Sequence, residues 1–196
     1  MASNRPNFYK PYLYAAPYKT GGVVDTTKVV AIGPSRFTSD GVTMSVAPRT
    51  YDDETLAGTF TYLTGVNEGH TLSATIKFAN MKELAQLGGG KVGTDDTHGM
   101  LEFGADNACP VLQDYAVVLV DACDAENTYK MVKIDHADVA VMTDDVTFGG
   151  SDPFTLPFMV YAHPGETPAI QFGTIEAGKV FDPTTWTIKN ASESSK

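Results

Sequence analysis

Between residues 70 and 90 the chain reads HTLSATIKFANMKELAQLGGG, and its hydrophobic period changes there from two to about 3.6. Leu72, Ala74, Ile76 and Phe78 alternate with Thr71, Ser73, Thr75 and Lys77, the pattern of a strand with one apolar face and one small, polar face. Asn80 then stands where a helix N-cap belongs, and Met81, Leu84 and Leu87 share one helical face. Gly88, Gly89 and Gly90 stop the helix, because glycine takes the left-handed cap conformation without a Cβ penalty. The spacing therefore predicts one short helix over about 80–87, set beside strands. That combination points to an α+β, mainly β architecture, a sandwich or barrel, rather than a doubly wound sheet.

Further strands are predicted over 23–32 and 42–46, with turn signals at Gly33-Pro34 and Asp40-Gly41. The run 115–120 is apolar at nearly every position and so predicts a strand buried on both faces. A long return strand over 128–141 makes a hairpin with it. Shorter strands follow near 100–103, over 154–161 and over 169–175, with loops across 88–110 and 144–153. No internal repeat or linker interrupts the chain, so its 196 residues read as one domain.

Three segments do not fit a plain core. Residues 1–20 set Tyr9, Tyr12, Tyr14 and Tyr18 among Pro6, Pro11 and Pro17. The prolines oppose a helix and a central strand, and so many tyrosines oppose a solvated tail. This is an extended arm, packed either over its own core or over a neighbouring subunit, where tyrosine is favoured. The stretch 47–69 reads as a long inter-strand loop, but Tyr51, Phe60 and Tyr62 and the β-prone piece 59–64 suggest a hairpin extension that docks on a partner. The C-terminal piece, 180–196, holds the only tryptophan, Trp186, and ends in a serine-rich stretch expected to fray.

Composition narrows the function. The formal net charge of −10 opposes a nucleic-acid-binding surface, which needs clustered Lys and Arg. The same charge suits solubility, or a surface that nucleic acid passes without sticking. No apolar run is long enough to span a bilayer, so no membrane role is expected. The N-terminus lacks the apolar core of a signal peptide, and synthesis in the cytoplasm is the expectation. Cys109 and Cys123 form no CxxC and are expected to be free thiols.

No chemical motif stands out. His70, His98, His136 and His163 show no metal-binding spacing, GxSxG is missing, and no glycine run opens a helix as a phosphate-binding loop does. Gly88-Gly89-Gly90-Lys91 follows a helix instead of opening one. The acidic pairs Asp95-Asp96 and Asp144-Asp145 do not match a calcium loop. Neither a catalytic residue, a metal ligand nor a cofactor site is assigned, and a binding or structural protein is expected rather than an enzyme.

The order of elements resembles the major tail (tail tube) proteins of long, non-contractile-tailed bacteriophages. The resemblance rests on the strand-to-helix block 70–89, on the long stretch 47–69 before it, and on the late segment DDVTFGGSDPFTLPFMVYAHPGE (144–166). It covers roughly residues 20–175, and tube proteins of contractile tails and type VI secretion share the architecture. The resemblance implies a β-sandwich or half-barrel with one flanking helix. Six copies would close a ring, and stacked rings would form the tube of a virion tail through which DNA passes into the host. Tape measure, tail-tip and tail-terminator proteins would be further partners. It also implies that the arms and the 47–69 stretch touch the adjacent ring through Tyr9, Tyr12, Tyr14, Tyr18, Tyr51, Phe60, Tyr62 and Trp186. Thr43, Ser45, Thr71, Ser73, Thr75 and Lys77 would line the lumen, with Lys77 departing from an acidic lining.

Two other classes remain open at this point. A ligand-binding β-domain or capsid-decoration module would use exposed aromatics such as Tyr51, Tyr62 and Trp186. A metal-dependent barrel enzyme would need two or more of the four histidines to converge.

Overall fold

In a computed structural model of the chain, the structure describes residues 10–55, 58–77, 87, 91–92, 101–102, 114–121, 129–141, 155–163 and 169–193. In chain order the strands are β1 (Pro11–Pro17), β2 (Val30–Ile32), β3 (Phe37–Thr55), β4 (Gly58–Lys77), β5 (Lys91–Val92), β6 (Leu101–Glu102), β7 (Tyr115–Asp121) and β8 (Tyr129–Val141). They continue as β9 (Thr155–Ala162), β10 (Gln171–Ile175), β11 (Lys179–Asp182) and β12 (Thr187–Asn190). The protein is mainly β, an antiparallel half-barrel.

The main sheet runs β2-β1-β7-β8-β9-β4-β3, and β10 adds to β8 beyond the end of β9. Its two edge strands, β2 and β3, are consecutive in the chain. Six inter-strand steps of about 4.8 Å would separate them by roughly 29 Å in a flat sheet. The five residues from Ile32 to Phe37 reach at most about 17 Å. The sheet must therefore curl, and it nearly closes around its apolar face.

Alternation sets that face. Leu13 and Ala15 on β1, Val117 and Leu119 on β7, Val132 and Ile134 on β8, Phe158 and Val160 on β9, and Leu72 and Ile76 on β4 form one buried cluster. Leu87 joins it, is helical, and is buried. The rest of the predicted helix 80–87 lies outside the described residues, as do the glycine stop, Cys109, Cys123 and His98.

β7 is buried at every position, as its continuous apolar run predicts. Val117 and Leu119 face the barrel interior, while Val118 and Val120 face outward under a second cluster with Ile175, Tyr14, Phe181 and Trp186. The ribbon β11–β12 supplies that cover. The C-terminal segment is thus a packed hairpin from Lys179 to Asn190 rather than a free arm. Its turn is set by Asp182, whose Oδ1 accepts from the Thr184 amide at 2.9 Å and hydroxyl at 2.8 Å. Trp186 lies at φ 57°, the only positive φ outside glycine among the described residues. Its ring meets Phe181 edge-on at 5.3 Å.

Three further expectations need correction. The segment 11–17 is not an arm but strand β1, paired in register with β7 from Pro11↔Asp121 to Pro17↔Tyr115. Its prolines are tolerated because they occupy the strand's two ends, while β2 pairs only with Leu13, Tyr14 and Ala15. The segment 47–69 is not a loop. β3 and β4 pair down to Thr55↔Gly58, so the hairpin extension suggested by Tyr51, Phe60, Tyr62 and the piece 59–64 is what forms, with register irregularities within it. Gly41, at φ 67°, sits in the largest of these bulges. The predicted strand 23–32 shortens to β2, because a 3-10 turn at Thr26–Lys28, capped by Asp25, precedes it.

Candidate functional site

The six residues expected to line a lumen share one face. Thr71, Ser73, Thr75 and Lys77 alternate with Leu72 and Ile76, so burial of the latter pair turns the former outward. Register then assembles rows across strands: Ser45, Thr71, Tyr161 and Asp138 form one, and Thr43, Ser73 and Met159 the next. Thr75 lies opposite Pro157, and Lys77 opposite Thr155. Thr43 and Ser45 are exposed, and the other four are half-buried. A shallow depression of about 300 Å³ is lined by Asp40, Thr43, Ser73, Thr75, Pro157 and Met159. The surface is a sheet face of hydroxyls and short side chains. It offers neutral donors and acceptors, with Lys77 as its one cation among those six.

The first row ends in a cluster that spacing along the chain does not reveal. His163 Nε2 lies 2.8 Å from Asp138 Oδ2, and His136 Nδ1 lies 2.6 Å from Asp114 Oδ2. A carboxylate can only accept, so each ring donates from a different nitrogen. His163 Nδ1 is left 3.9 Å from Asp114 Oδ1, beyond hydrogen-bond reach. The amide of Ala137 donates to that same Oδ1, and the amide of His163 to the His136 carbonyl. Tyr18 stacks on His136 with ring centroids 4.8 Å apart, and its hydroxyl donates to the Asp135 carbonyl. Burial, then the Asp135 and Asp114 charges, push the Tyr18 phenol up to about 12. Gln171 reaches Asp135 as well. The cluster ties together the ends of β1, β7 and β9, the middle of β8 and the start of β10.

Thus two of the four histidines do converge. No hydroxyl or thiol is hydrogen-bonded to either ring among the described residues, and no group of three or more His, Cys, Asp or Glu is placed there to hold a metal ion. His70 pairs across strands with Val46 and Ala162, on the opposite sheet parity from the polar rows. The cluster escaped sequence reading because its paired members lie 22 and 25 residues apart and meet only through strand register.

The expected contact residues separate into groups. Tyr14 packs between Tyr12 and Phe181, and Trp186 packs on Phe181. Tyr18 belongs to the histidine cluster. These three support the subunit's own fold. Tyr12 remains exposed. Tyr51 stands directly opposite Tyr62, and Phe60 opposite Asp53, in the far part of the β3–β4 hairpin. Tyr9 lies outside the described residues.

That hairpin is the most unusual feature. β9 accompanies β4 only from Lys77 to His70, where Ala162 ends it. From Glu68 to Gly58, β4 pairs with β3 alone among the described residues. At about 3.3 Å per residue this two-stranded extension reaches roughly 35 Å past the sheet. No helix among the described residues is long and apolar enough to cross a membrane. The chain matches no protein-family model and no curated protein sequence.

Proposed function

We propose that this protein is a structural virion subunit that builds a phage-type tail tube: six copies close a ring, and rings stack into a channel through which DNA leaves for the host. The observation that carries this reading is the far half of the β3–β4 hairpin, a two-stranded ribbon with no third strand among the described residues. Such a ribbon is marginal in water by itself, and its open edge invites another chain. A neighbouring copy supplies the missing contact, and a closed ring removes the sheet edges.

The outward polar face fits the channel side. Its hydroxyls can meet a passing phosphate backbone without a dense array of cations to hold it. Six chains of charge −10 give about −60 per ring, which repels DNA and lets it slide. Tape measure, tail-tip and tail-terminator proteins would set where such a tube starts and stops. Nothing in this role calls for a cofactor or a catalytic residue.

Negative-stain microscopy of the purified protein across a concentration series tests the reading. Annular particles or hollow tubes with a central channel are expected. Uniform monomer-sized particles at every concentration, with and without added tail-tip complex, would overturn it.

A further inference from the structure

A bulge builds the histidine–aspartate cluster. Between the pairs Tyr115↔Ala137 and Val117↔Ile134, β7 uses one residue, Ala116, while β8 uses two, Asp135 and His136. Ile134 and Ala137 both stay in the barrel core, so the extra residue leaves His136 at the surface. The His163 amide donates to the His136 carbonyl at 2.9 Å, one step past the pair Ala137↔Ala162. The two imidazoles therefore stand side by side across β8 and β9, and each faces one oxygen of Asp114.

Their tautomers make the arrangement asymmetric. His136 donates from Nδ1 to Asp114, which leaves Nε2 as its lone-pair nitrogen. His163 donates from Nε2 to Asp138, so its lone pair is on Nδ1. That nitrogen lies 3.9 Å from Asp114 Oδ1, an acceptor set against an acceptor. The gap stays open because no hydrogen lies between the two atoms. A proton taken up on Nδ1 supplies one and turns the same two atoms into donor and acceptor. Histidine is the side chain that changes charge between about pH 5 and 8, where carboxylates keep theirs.

The groups around the pair set the sign of the response. Asp114 precedes β7, Asp135 and Asp138 come from β8, and Tyr18 follows β1. Lys133 holds Asp135 at 2.7 Å, and Gln171 of β10 reaches it too. Asp114 and Asp138 remain to balance two imidazolium charges, so the adjacent cations are compensated. The Tyr18 ring, stacked on His136 at 4.8 Å, offers its π face to the cation that forms there. Tyr18 and Tyr161, which stands opposite Asp138 on β9, add phenols, and a phenol carries no charge below about pH 9.

We propose that His136, His163 and Asp114 form a proton-operated latch. Below about pH 6, His163 Nδ1–H closes onto Asp114 Oδ1 and ties the start of β7 to the end of β9. In the neutral form Asp114 holds only β8, through His136 and the Ala137 amide. The latch needs no second copy of the chain and is independent of the tube reading.

NMR of the unassembled native chain between about pH 8 and 5.5 tests it. At the upper end, imidazole nitrogen spectra should show His136 as the Nδ1–H tautomer and His163 as the Nε2–H tautomer. The amides of Ala137 and His163 donate inside the cluster and report on its closure. Corrected for intrinsic exchange, their protection should rise about two- to fivefold on acidification, the size of an ion pair at a half-exposed site. His163→Gln keeps a donor for Asp138 but takes up no proton, and the rise should vanish. Asp114→Asn, which keeps an Oδ1 acceptor for the Ala137 amide, should lose it as well. No rise in the native chain, an equal rise in either variant, or one tautomer shared by both rings would overturn the latch.

Discussion

β7 and the far end of the β3–β4 hairpin are both built from β-prone residues, yet their surroundings differ completely. β7 has β1 on one edge and β8 on the other, the barrel core on one face and the β11–β12 ribbon on the other. The hairpin end has one neighbour, its own partner strand, among the described residues. β7 is thus paired on both edges and covered on both faces within the chain. The hairpin end has an edge that no described residue pairs with. If the proposed assembly holds, stability and assembly belong to different regions, and substitutions should separate them.

The largest expected effect on folding is at the doubly covered strand. Leu119→Ala, at a position 2% exposed, should lower the unfolding free energy by about 2–5 kcal/mol through lost burial and the cavity left behind. Urea unfolding of the unassembled protein measures it. A loss below about 1 kcal/mol would remove the contrast with the hairpin.

Removing the cover should cost less. Trp186→Ala deletes a half-buried ring from the outer cluster, and about 2 kcal/mol is expected, less than full burial would give. Met131, Val118 and Val120 would then be exposed, and increased binding of a hydrophobic dye should accompany the loss.

The ribbon's turn carries a pH signature. The hydrogen bond from Lys189, then those from Thr184, hold the Asp182 carboxyl well below its ordinary value of 3.8. A depressed carboxyl contributes stability that is fully present above that ordinary value and is lost as the pH falls below it toward the depressed one. Asp182→Asn should therefore be less stable than the native chain at neutral pH, and the gap should narrow below about pH 4. A gap independent of pH in acid unfolding would show that Asp182 acts through shape rather than charge.

The smallest effect on folding is expected at the hairpin. Joining Ala47 to Glu68, which lie directly opposite, through Asn-Gly in place of 48–67 should change monomer stability by less than about 1 kcal/mol, since an unsupported two-stranded ribbon adds little. Assembly should be abolished. A shortened chain that still forms rings or tubes would place the assembly contact elsewhere and end the division of labour drawn here.

Much of this was legible in the residues. The alternation over 71–77 placed four polar side chains on one face and Leu72 and Ile76 on the other. The unbroken apolar run of β7 foretold burial on both sides, although not that Phe181 and Trp186 would provide the second. Pro11 and Pro17 disguised β1, because the rule that prolines avoid central strands holds for interior positions and not for the ends. Gly58 and Gly65 gave 47–69 the local look of a loop, while its aromatics and the β-prone piece 59–64 already pointed to the hairpin. His136, His163, Asp114 and Asp138 carry no mutual spacing.

Local periodicity depends only on neighbours along the chain, so the sequence by itself determined the strand character, the polar and apolar faces, and the acidic charge. Which strands lie side by side depends on long-range pairing, where a shift of one residue inverts every face. Only the tertiary structure could therefore decide that β2 and β3 become the edges of a curled sheet, that a histidine–aspartate cluster closes one polar row, and that β10 and the hairpin end each have an edge unpaired among the described residues.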